Sequence, residues 1–234
     1  MRIVTYNELT AFIAENEVVL GTAERPGLML TPDNEIVKSF YRRKRFSTST
    51  FIPQAMRFVR NGRKLLEKGI VGPVANDVIY CPEIPVHMVI YQKLAGDDLR
   101  EMCAAGKIQC LVRLPEYLAD LHDRGIFFRA IHLGNILFDG ANMAIIDVSD
   151  LSTKNQPLNV FQRVRNFAHL LNSEDDKAYF ASFGVHDFIT AYLKAAALRG
   201  VRERIFTARL RSSLDEDVLH QMDLSTTTKS DLDH

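Results

Sequence analysis

Four side chains in this 234-residue sequence are of the kinds that phosphoryl-transfer chemistry uses. Lys38 lies in the apolar run EIVKSF, and Asp147 ends the apolar run AIID. Between them, His132 and Asn135 share the stretch FFRAIHLGN. Such chemistry needs a cation for phosphate, oxygen ligands for magnesium and, usually, a group that accepts a proton. A lysine, a carboxylate with an amide, and a histidine are suited to these tasks.

The stretch from Phe128 to Asn135 has the frame of the catalytic loop H-R-D-x-x-x-x-N of kinase-like folds. In that loop the aspartate accepts the proton of the acceptor hydroxyl, and the asparagine holds metal. Phe128-Arg129-Ala130 occupies the first three positions, and Asn135 follows Ala130 by five residues, as the motif requires. The sequence therefore keeps the metal position of the loop and lacks its usual base.

Two residues of the loop are candidates for the catalytic role, His132 and Arg129. A general base contributes about 10²–10⁴-fold to a rate, so its loss predicts slower transfer and unchanged nucleotide binding. His132 lies two residues beyond Ala130, and histidine titrates near neutrality, which suits proton transfer. A structural role for His132, packed against the loop or Asp147, is the alternative that we favour.

The first part of the chain has the pattern of short strands joined by turns. Two apolar runs, Val18–Ala23 and Gly27–Thr31, are separated by the turn composition ERPG, and EIVKSF follows a second turn. This pattern predicts an antiparallel meander whose third strand carries Lys38. Residues 53–68 have apolar positions at helical spacing, and Gly69 is placed to end that helix.

The rest of the chain predicts mainly helices. Two further strands lie within DVIYCPEIPVHMVIYQKL, and helices follow over DDLREMCAAG and from Ile108 to Arg124. NILF and MAIIDV predict a hairpin that turns at Asp139-Gly140, and the pattern is helical from Val160 to Ser212. Strands with one helix, followed by helices around a small hairpin, predict an α+β fold in two lobes.

The predicted organisation has three parts. Residues 1–93 form an N-terminal lobe, a sheet with one helix, and residues 94–214 form a helical C-terminal lobe that contains the catalytic loop. Residues 215–234 are acidic and polar, and we expect them to be disordered.

The charge of the chain is balanced overall and uneven locally. Between Ile36 and Leu66 there are nine basic residues and no acidic one. They are Lys38, Arg42, Arg43, Lys44, Arg45, Arg57, Arg60, Arg63 and Lys64. Such a region fits phosphate groups or an anionic membrane surface, and a solvated basic face is an equal alternative. No nucleic-acid motif accompanies the basic run, so no nucleic-acid partner is expected.

The composition indicates a soluble globular protein. Hydrophobic residues make up 47% and charged residues 25% of the chain, and no apolar run approaches the roughly 20 residues of a spanning helix. Glu8 interrupts the N-terminal stretch where a signal peptide would be apolar. We therefore expect a cytoplasmic location, with peripheral attachment to the inner membrane left open.

Several segments together resemble a known family. LHDRGI, HLGNIL and IID resemble the kinase-like phosphotransferases of bacteria. With DNEIVKSFYRRK, RFVRNGRKLLEKGI and FFRAIHLGNIL, the sequence is most similar to the lipopolysaccharide core kinases, which phosphorylate heptose or Kdo and include toluene-tolerance proteins of pseudomonads. The similarity covers roughly Val18 to Leu210. It implies a bilobal protein-kinase-like fold, with a small antiparallel-sheet N-lobe and a mainly helical C-lobe, that binds ATP and Mg²⁺.

The resemblance also implies roles for individual residues. Lys38 would bind the α- and β-phosphates, and Asn135 and Asp147 would be the magnesium ligands. Gln92-Lys93-Leu94 would be the hinge between the lobes that adenine contacts. Gly21 would belong to the glycine-rich phosphate loop, but LGTA is not a complete G-x-G-x-x-G.

A second departure from the family concerns the helix glutamate that pairs with the lysine. Aligning the helix on Gly69 puts Phe58 at that position and Asn61 one turn later. The partner of Lys38 therefore stays open at the level of the sequence.

Two functions remain for the structure to address. The first is an ATP-dependent kinase of a lipopolysaccharide core sugar, or another phosphosugar, at the cytoplasmic face of the inner membrane. The alternative is a pseudokinase, a nucleotide-binding or scaffolding regulator of envelope biogenesis, which Ala130, the missing glutamate and the incomplete glycine loop favour. The acceptor hydroxyl and the oligomeric state stay open.

Overall fold

The computed structural model describes residues 1–41 and 52–222. This part of the chain forms two compact units. The first consists of Met1–Leu94 together with the short segment Asp147–Asp150, and the second contains the other described residues. The predicted α+β class is confirmed, because the first unit is built on a sheet and the second mainly on helices.

The first unit contains a six-stranded sheet. Its strands are β1 (Arg2–Ile3), β2 (Glu17–Gly21), β3 (Pro26–Leu30), β4 (Glu35–Tyr41), β5 (Ala75–Cys81) and β6 (Val86–Gln92). Their order in the sheet is β1-β5-β6-β4-β3-β2, and only β1 pairs in parallel. The predicted meander is thus present as β2, β3 and β4. Lys38 stands in β4, opposite Leu28 of β3 and Val89 of β6.

Two helices complete the first unit. Helix α1 (Tyr6–Ala14) begins at a capping box, in which Thr5 and Glu8 satisfy each other's backbone N–H groups. Its Leu9 packs into a core with Met29 and other apolar residues of the sheet. Helix α2 (Gln54–Glu67) is the predicted helix. At Gly62 this helix lies directly against the backbone of Pro73, so a Cβ on residue 62 would collide with the Pro73 carbonyl.

The second unit contains short strands and most of the helices. The strands are β7 (Asp97–Asp98), β8 (Ile126–Phe128), β9 (Ile136–Phe138), β10 (Met143–Ile145) and β11 (Leu151–Thr153). They pair as β10-β9-β7 and β11-β8, and β9-β10 is the predicted hairpin. The helices are α3 (Leu99–Ala104), α4 (Leu114–Asp123), α5 (Val160–Leu171), α6 (Lys177–Phe183), α7 (Val185–Ala195) and α8 (Val201–Arg211).

An aromatic core joins α5, α7 and α8. The ring of Phe167 on α5 lies 4.6 Å from that of Tyr192 and 5.5 Å from that of Phe188, both on α7. On α8, the ring of Phe206 lies 5.7 Å from Phe167. All four side chains are fully or almost fully buried, and such aromatic contacts add to the stabilisation from burial alone.

The predicted helix from Ile108 to Arg124 is wrong in its first part. Residues Ile108–Arg113 form a 3₁₀ helix, and the α-helix begins at Leu114. Pro115 explains the difference, because a proline ring clashes with the carbonyl four residues before it and therefore stands in the first turn of an α-helix.

The predicted basic run and the predicted C-terminal tail lie partly outside the residues that the structure describes. The basic residues Arg42, Arg43, Lys44 and Arg45 lie outside the described residues, as does 223–234 of the expected tail. Residues 216–222 of that tail are helical, and Val218 and Met222 are buried. Within the described ranges, no helix combines the length and hydropathy that crossing a membrane requires.

Candidate active site

Lys38 forms an ion pair with Asp147 in the first unit. The Nζ atom lies 2.9 Å from Oδ1 of Asp147, and the two side chains are 22% and 41% exposed. Asp147 has a φ of 54°, a left-handed conformation that aspartate tolerates better than most residues. The pair answers the question of the lysine's partner: a carboxylate from the segment after β10 takes the place of a helix glutamate.

Aromatic rings lie close to the Lys38 ammonium group. Its Nζ atom is 5.9 Å from the ring centroid of Phe40 and 5.7 Å from that of Phe58, distances at which a cation is attracted to an aromatic face. Phe58 is fully buried on α2, and its ring packs 5.5 Å from the rings of Phe40 and Tyr91. The helix position that the sequence aligns with the glutamate therefore presents a ring to Lys38.

Helix α2 also holds the segment that carries Asp147. The side-chain Nδ2 of Asn61 donates to the carbonyls of Val148, at 2.7 Å, and Ser149, at 3.3 Å. One turn away on the same helix, Arg57 lies 3.3 Å from the carboxylate of Asp150. These contacts fix the three residues that follow Asp147 against one helix.

In the second unit, Asn135 is oriented by the loop itself. Its Nδ2 donates to the carbonyl of Ala130 at 2.9 Å, so the amide oxygen Oδ1 points the other way. No described residue donates a hydrogen bond to that oxygen. The backbone carbonyl of Asn135 accepts from the N–H of Ile146 at 3.0 Å, which ties the loop to the residue before Asp147.

His132 contacts an arginine. Its Nδ1 lies 3.4 Å from Nη2 of Arg100. A guanidinium group can only donate, so Nδ1 of His132 is the acceptor in this contact. The contact ties His132 to the arginine that also holds Asp176.

Arg100 and Asp176 fix the loop from the helical side. Asp176 is fully buried, and its carboxylate accepts from Nε of Arg100 at 2.7 Å, from the N–H of Leu133 at 2.8 Å and from the hydroxyl of Ser173 at 3.0 Å. The exposed Asp175 lies 3.2 Å from the same arginine. No spacing pattern in the sequence indicates this cluster, because Asp176 is 76 residues from Arg100 and 43 from Leu133.

A second buried cluster supports the loop at Phe128. Asn166 donates through Nδ2 to the Phe128 carbonyl at 2.7 Å, which leaves its Oδ1 to accept from Nε2 of His122 at 3.0 Å. The Tyr192 hydroxyl then donates to Nδ1 of His122 at 2.7 Å. Burial lowers the pKa of His122 to about 4, so the ring is neutral in the folded protein.

The remaining candidate residues occupy the following places. Gly21 ends β2 at an irregularity of the strand register, with a φ of 97°, and a Cβ there would lie 2.6 Å from the Arg25 carbonyl. Gln92 ends β6 and donates through Nε2 to the Asn34 carbonyl at 3.2 Å. Leu94 is the last residue of the first unit before Ala95. Their roles in nucleotide binding stay predictions.

Two of the candidate residues, one in each unit, carry oxygens of the kinds that magnesium prefers. Asp147 has a partly exposed carboxylate in the first unit, and Asn135 has its amide Oδ1 in the second. Their roles as magnesium ligands stay predictions. Lys38 supplies a cation whose carboxylate partner is accessible to solvent. Arg129, the other candidate of the loop, is exposed.

Comparison with solved structures finds WbdD, described as a bifunctional kinase-methyltransferase. One WbdD structure is 15% identical at a TM-score of 0.45 and covers 78% of this chain and 46% of its own. A second WbdD structure is 18% identical at a TM-score of 0.45 and covers 78% of this chain and 47% of its own. A third, WbdD with a kinase inhibitor, is 17% identical at a TM-score of 0.43 and covers 77% of this chain and 47% of its own.

The chain thus spans about half the length of the WbdD chains that it matches. No protein-family model matches the sequence, and no curated protein matches it.

Proposed function

We propose that the protein is a kinase-like phosphotransferase that uses ATP and Mg²⁺ to phosphorylate a sugar of the lipopolysaccharide core. The observation that carries the proposal is the ion pair between Lys38 and Asp147, 2.9 Å apart in a partly exposed position. A paired ammonium and carboxylate match the two requirements of a magnesium-bound phosphate, a cation for its oxygens and an oxygen ligand for its metal.

In this proposal each retained residue has a defined task. Lys38 would bind phosphate oxygens, and Asp147 and Asn135 would each offer an oxygen to magnesium. Bound magnesium neutralises the charge that develops on the transferred phosphoryl group. The hydrogen bond from Asn135 to the Ala130 carbonyl keeps Oδ1 available for that purpose.

The missing base is compatible with this function. Phosphoryl transfer passes through a loose transition state and depends mostly on positioning and electrostatics. Loss of a general base therefore slows the reaction by about 10²–10⁴-fold and leaves the rest of the machinery useful. His132, which lies in the same loop, would help to orient the acceptor.

Nucleotide binding tests the proposal first. Millimolar ATP with magnesium is expected to raise the melting temperature of the wild-type protein, and Asp147→Ala and Lys38→Ala are expected to abolish the shift. Asp33→Ala is the matched control, because Asp33 is an exposed turn residue of the same unit. An unchanged melting temperature in the wild type would overturn the kinase proposal.

The acceptor is tested in cells. Core oligosaccharide from strains with and without the protein is compared by mass spectrometry, and the strain with the protein is expected to carry one additional phosphate. Identical core oligosaccharides would remove the lipopolysaccharide core as the acceptor and leave nucleotide binding unaffected.

A pseudokinase is the second candidate, favoured by Ala130 in the base position and by Phe58 beside Lys38. The variant Ala130→Asp separates the two. For a slow kinase, restoring the carboxylate should raise turnover by about 10²-fold or more. For a pseudokinase, whether it binds nucleotide or acts as a scaffold, neither the wild type nor Ala130→Asp transfers phosphate.

A further inference from the structure

A cavity of about 560 Å³ lies in the second unit, between the catalytic loop and helix α5. Phe127, Arg129 and His132 line it on the loop side, and Arg165 and His169 line it on the helix side. This volume falls within the range of small-molecule sites, and one or two sugar units would fit.

The charged residues that line the cavity are all basic. None of the described residues that line it is acidic. Arg129 and Arg165 lie on its two sides, and no described carboxylate is within ion-pair distance of either. By contrast, Arg100 and Arg163 of the same unit each pair with an aspartate. A concave surface with unpaired positive charge attracts anions.

The side chains on α5 are placed to act together. Arg165 and His169 are four residues apart, so they lie on the same face of the helix. The Arg165 guanidinium stands 6.0 Å from the ring centroid of Phe127, a contact that favours a defined orientation of its planar group. An oriented guanidinium group is suited to two-point binding of a phosphate or a carboxylate.

The position of the cavity relates it to the proposed chemistry. Arg129 and His132 flank Ala130 and Ile131 in the loop, which is where an acceptor hydroxyl would be received. We propose that the cavity binds the anionic group, phosphate or carboxylate, of a sugar acceptor. That the bound sugar is the acceptor rests on the proposed function. That the cavity binds an acidic sugar is argued from the cavity alone.

The experiment measures binding of defined probes to the 234-residue protein by calorimetry. The probes are inorganic phosphate, glucose 6-phosphate, glucuronate and neutral glucose. Glucose 6-phosphate or glucuronate is expected to bind and glucose is not, and the comparison of the two acids distinguishes a phosphate from a carboxylate source. The His169 ring resonances, followed by NMR, should shift on addition of the probe that binds.

Substitutions locate the site. Arg165→Gln and Arg129→Gln are each expected to weaken binding of the anionic sugar by about tenfold or more, since each removes a charge-assisted hydrogen-bond donor. Arg202→Gln is the matched control, because Arg202 is an exposed arginine on α8. Arg165→Gln should also keep the ATP-induced rise in melting temperature.

The outcomes separate the two proposals. Equal affinity of wild type and Arg165→Gln, or binding of none of the anionic probes at millimolar concentration, would overturn the cavity proposal and make this a solvated basic surface. If the anionic sugar binds in an Arg165-dependent way while ATP causes no thermal shift, the cavity site stands and the kinase function fails.

Discussion

The Lys38–Asp147 pair of the first unit and the polar clusters around the loop of the second unit differ in burial and in completeness. The pair is partly exposed and consists of one ion pair beside two aromatic rings. The clusters around His122 and Asp176 are buried, and each forms hydrogen bonds on more than one side.

This difference separates a structural role from a ligand-binding role. A buried polar group destabilises the fold unless it is hydrogen-bonded, so the clusters around the loop must stay complete. An exposed ion pair contributes little to stability and can exchange its partners at small cost. We therefore expect substitutions in the buried clusters to reduce stability, and substitutions of the partly exposed Lys38–Asp147 pair to reduce nucleotide binding.

The largest effect is expected for Asp176→Ala. The substitution removes a buried carboxylate and leaves Nε of Arg100 and the N–H of Leu133 without their acceptor. This should lower the free energy of unfolding by about 3 kcal/mol. Urea denaturation measures this value. Asp175→Ala is the control, because Asp175 pairs with the same arginine and is 71% exposed. Its expected effect is below about 0.5 kcal/mol, and equal losses in the two variants would contradict the comparison.

The second-largest effect is expected from His122, which should make the free energy of unfolding depend on pH. Burial lowers the pKa of His122 from 6.5 to about 4, so the unfolded chain takes up a proton in a range where the folded protein does not. Stability should fall as the pH falls through this window. Between about pH 7.5 and about pH 5 the His122 contribution is about 2 kcal/mol.

Urea denaturation at both pH values tests this prediction in His122→Gln. The variant is less stable throughout, and its loss of stability between the two pH values should be smaller than that of the wild type by the His122 contribution. An unchanged pH dependence in His122→Gln would contradict a lowered pKa of His122 in the folded protein.

A smaller effect is expected for Phe58→Leu, which keeps an apolar side chain and removes the ring beside Lys38. The loss of buried volume and of ring contacts should lower the free energy of unfolding by about 1.5 kcal/mol. Phe161→Leu is the matched control, because Phe161 also lies under a cation, Arg209 at 5.6 Å, but is 59% exposed. Its effect should stay within about 0.5 kcal/mol, and an equal loss would contradict a special role for burial at Phe58.

The sequence predicts the elements of this fold whose signal is local. The meander, helix α2 and the β9-β10 hairpin follow from apolar spacing and turn residues, and the position of Lys38 in β4 follows from the meander. Helix α1 was missed although its signal was present, because Thr5 and Glu8 have the spacing of a capping box.

The polar partners of the site could not be predicted in the same way. Asp176 contacts Arg100 and Leu133 from a distant part of the chain, and its neighbours in the sequence, SEDDK, have the composition of any polar turn. Phe58 was aligned with the glutamate position, yet only the packing of α2 against the sheet shows that its ring lies beside Lys38. Contacts between distant segments depend on packing, which sequence spacing does not encode.

The smallest effect on stability is expected for the Lys38–Asp147 pair, although we expect this pair to matter most for nucleotide binding. In a double-mutant cycle of Lys38→Met and Asp147→Asn, the coupling energy between the two side chains should be below about 1 kcal/mol, because the ion pair is partly exposed. Urea denaturation of the wild type, both single variants and the double variant provides the four values, and added salt should reduce the coupling further. A coupling as large as the loss in Asp176→Ala would make the pair a structural element, and the distinction between the two regions would then fail.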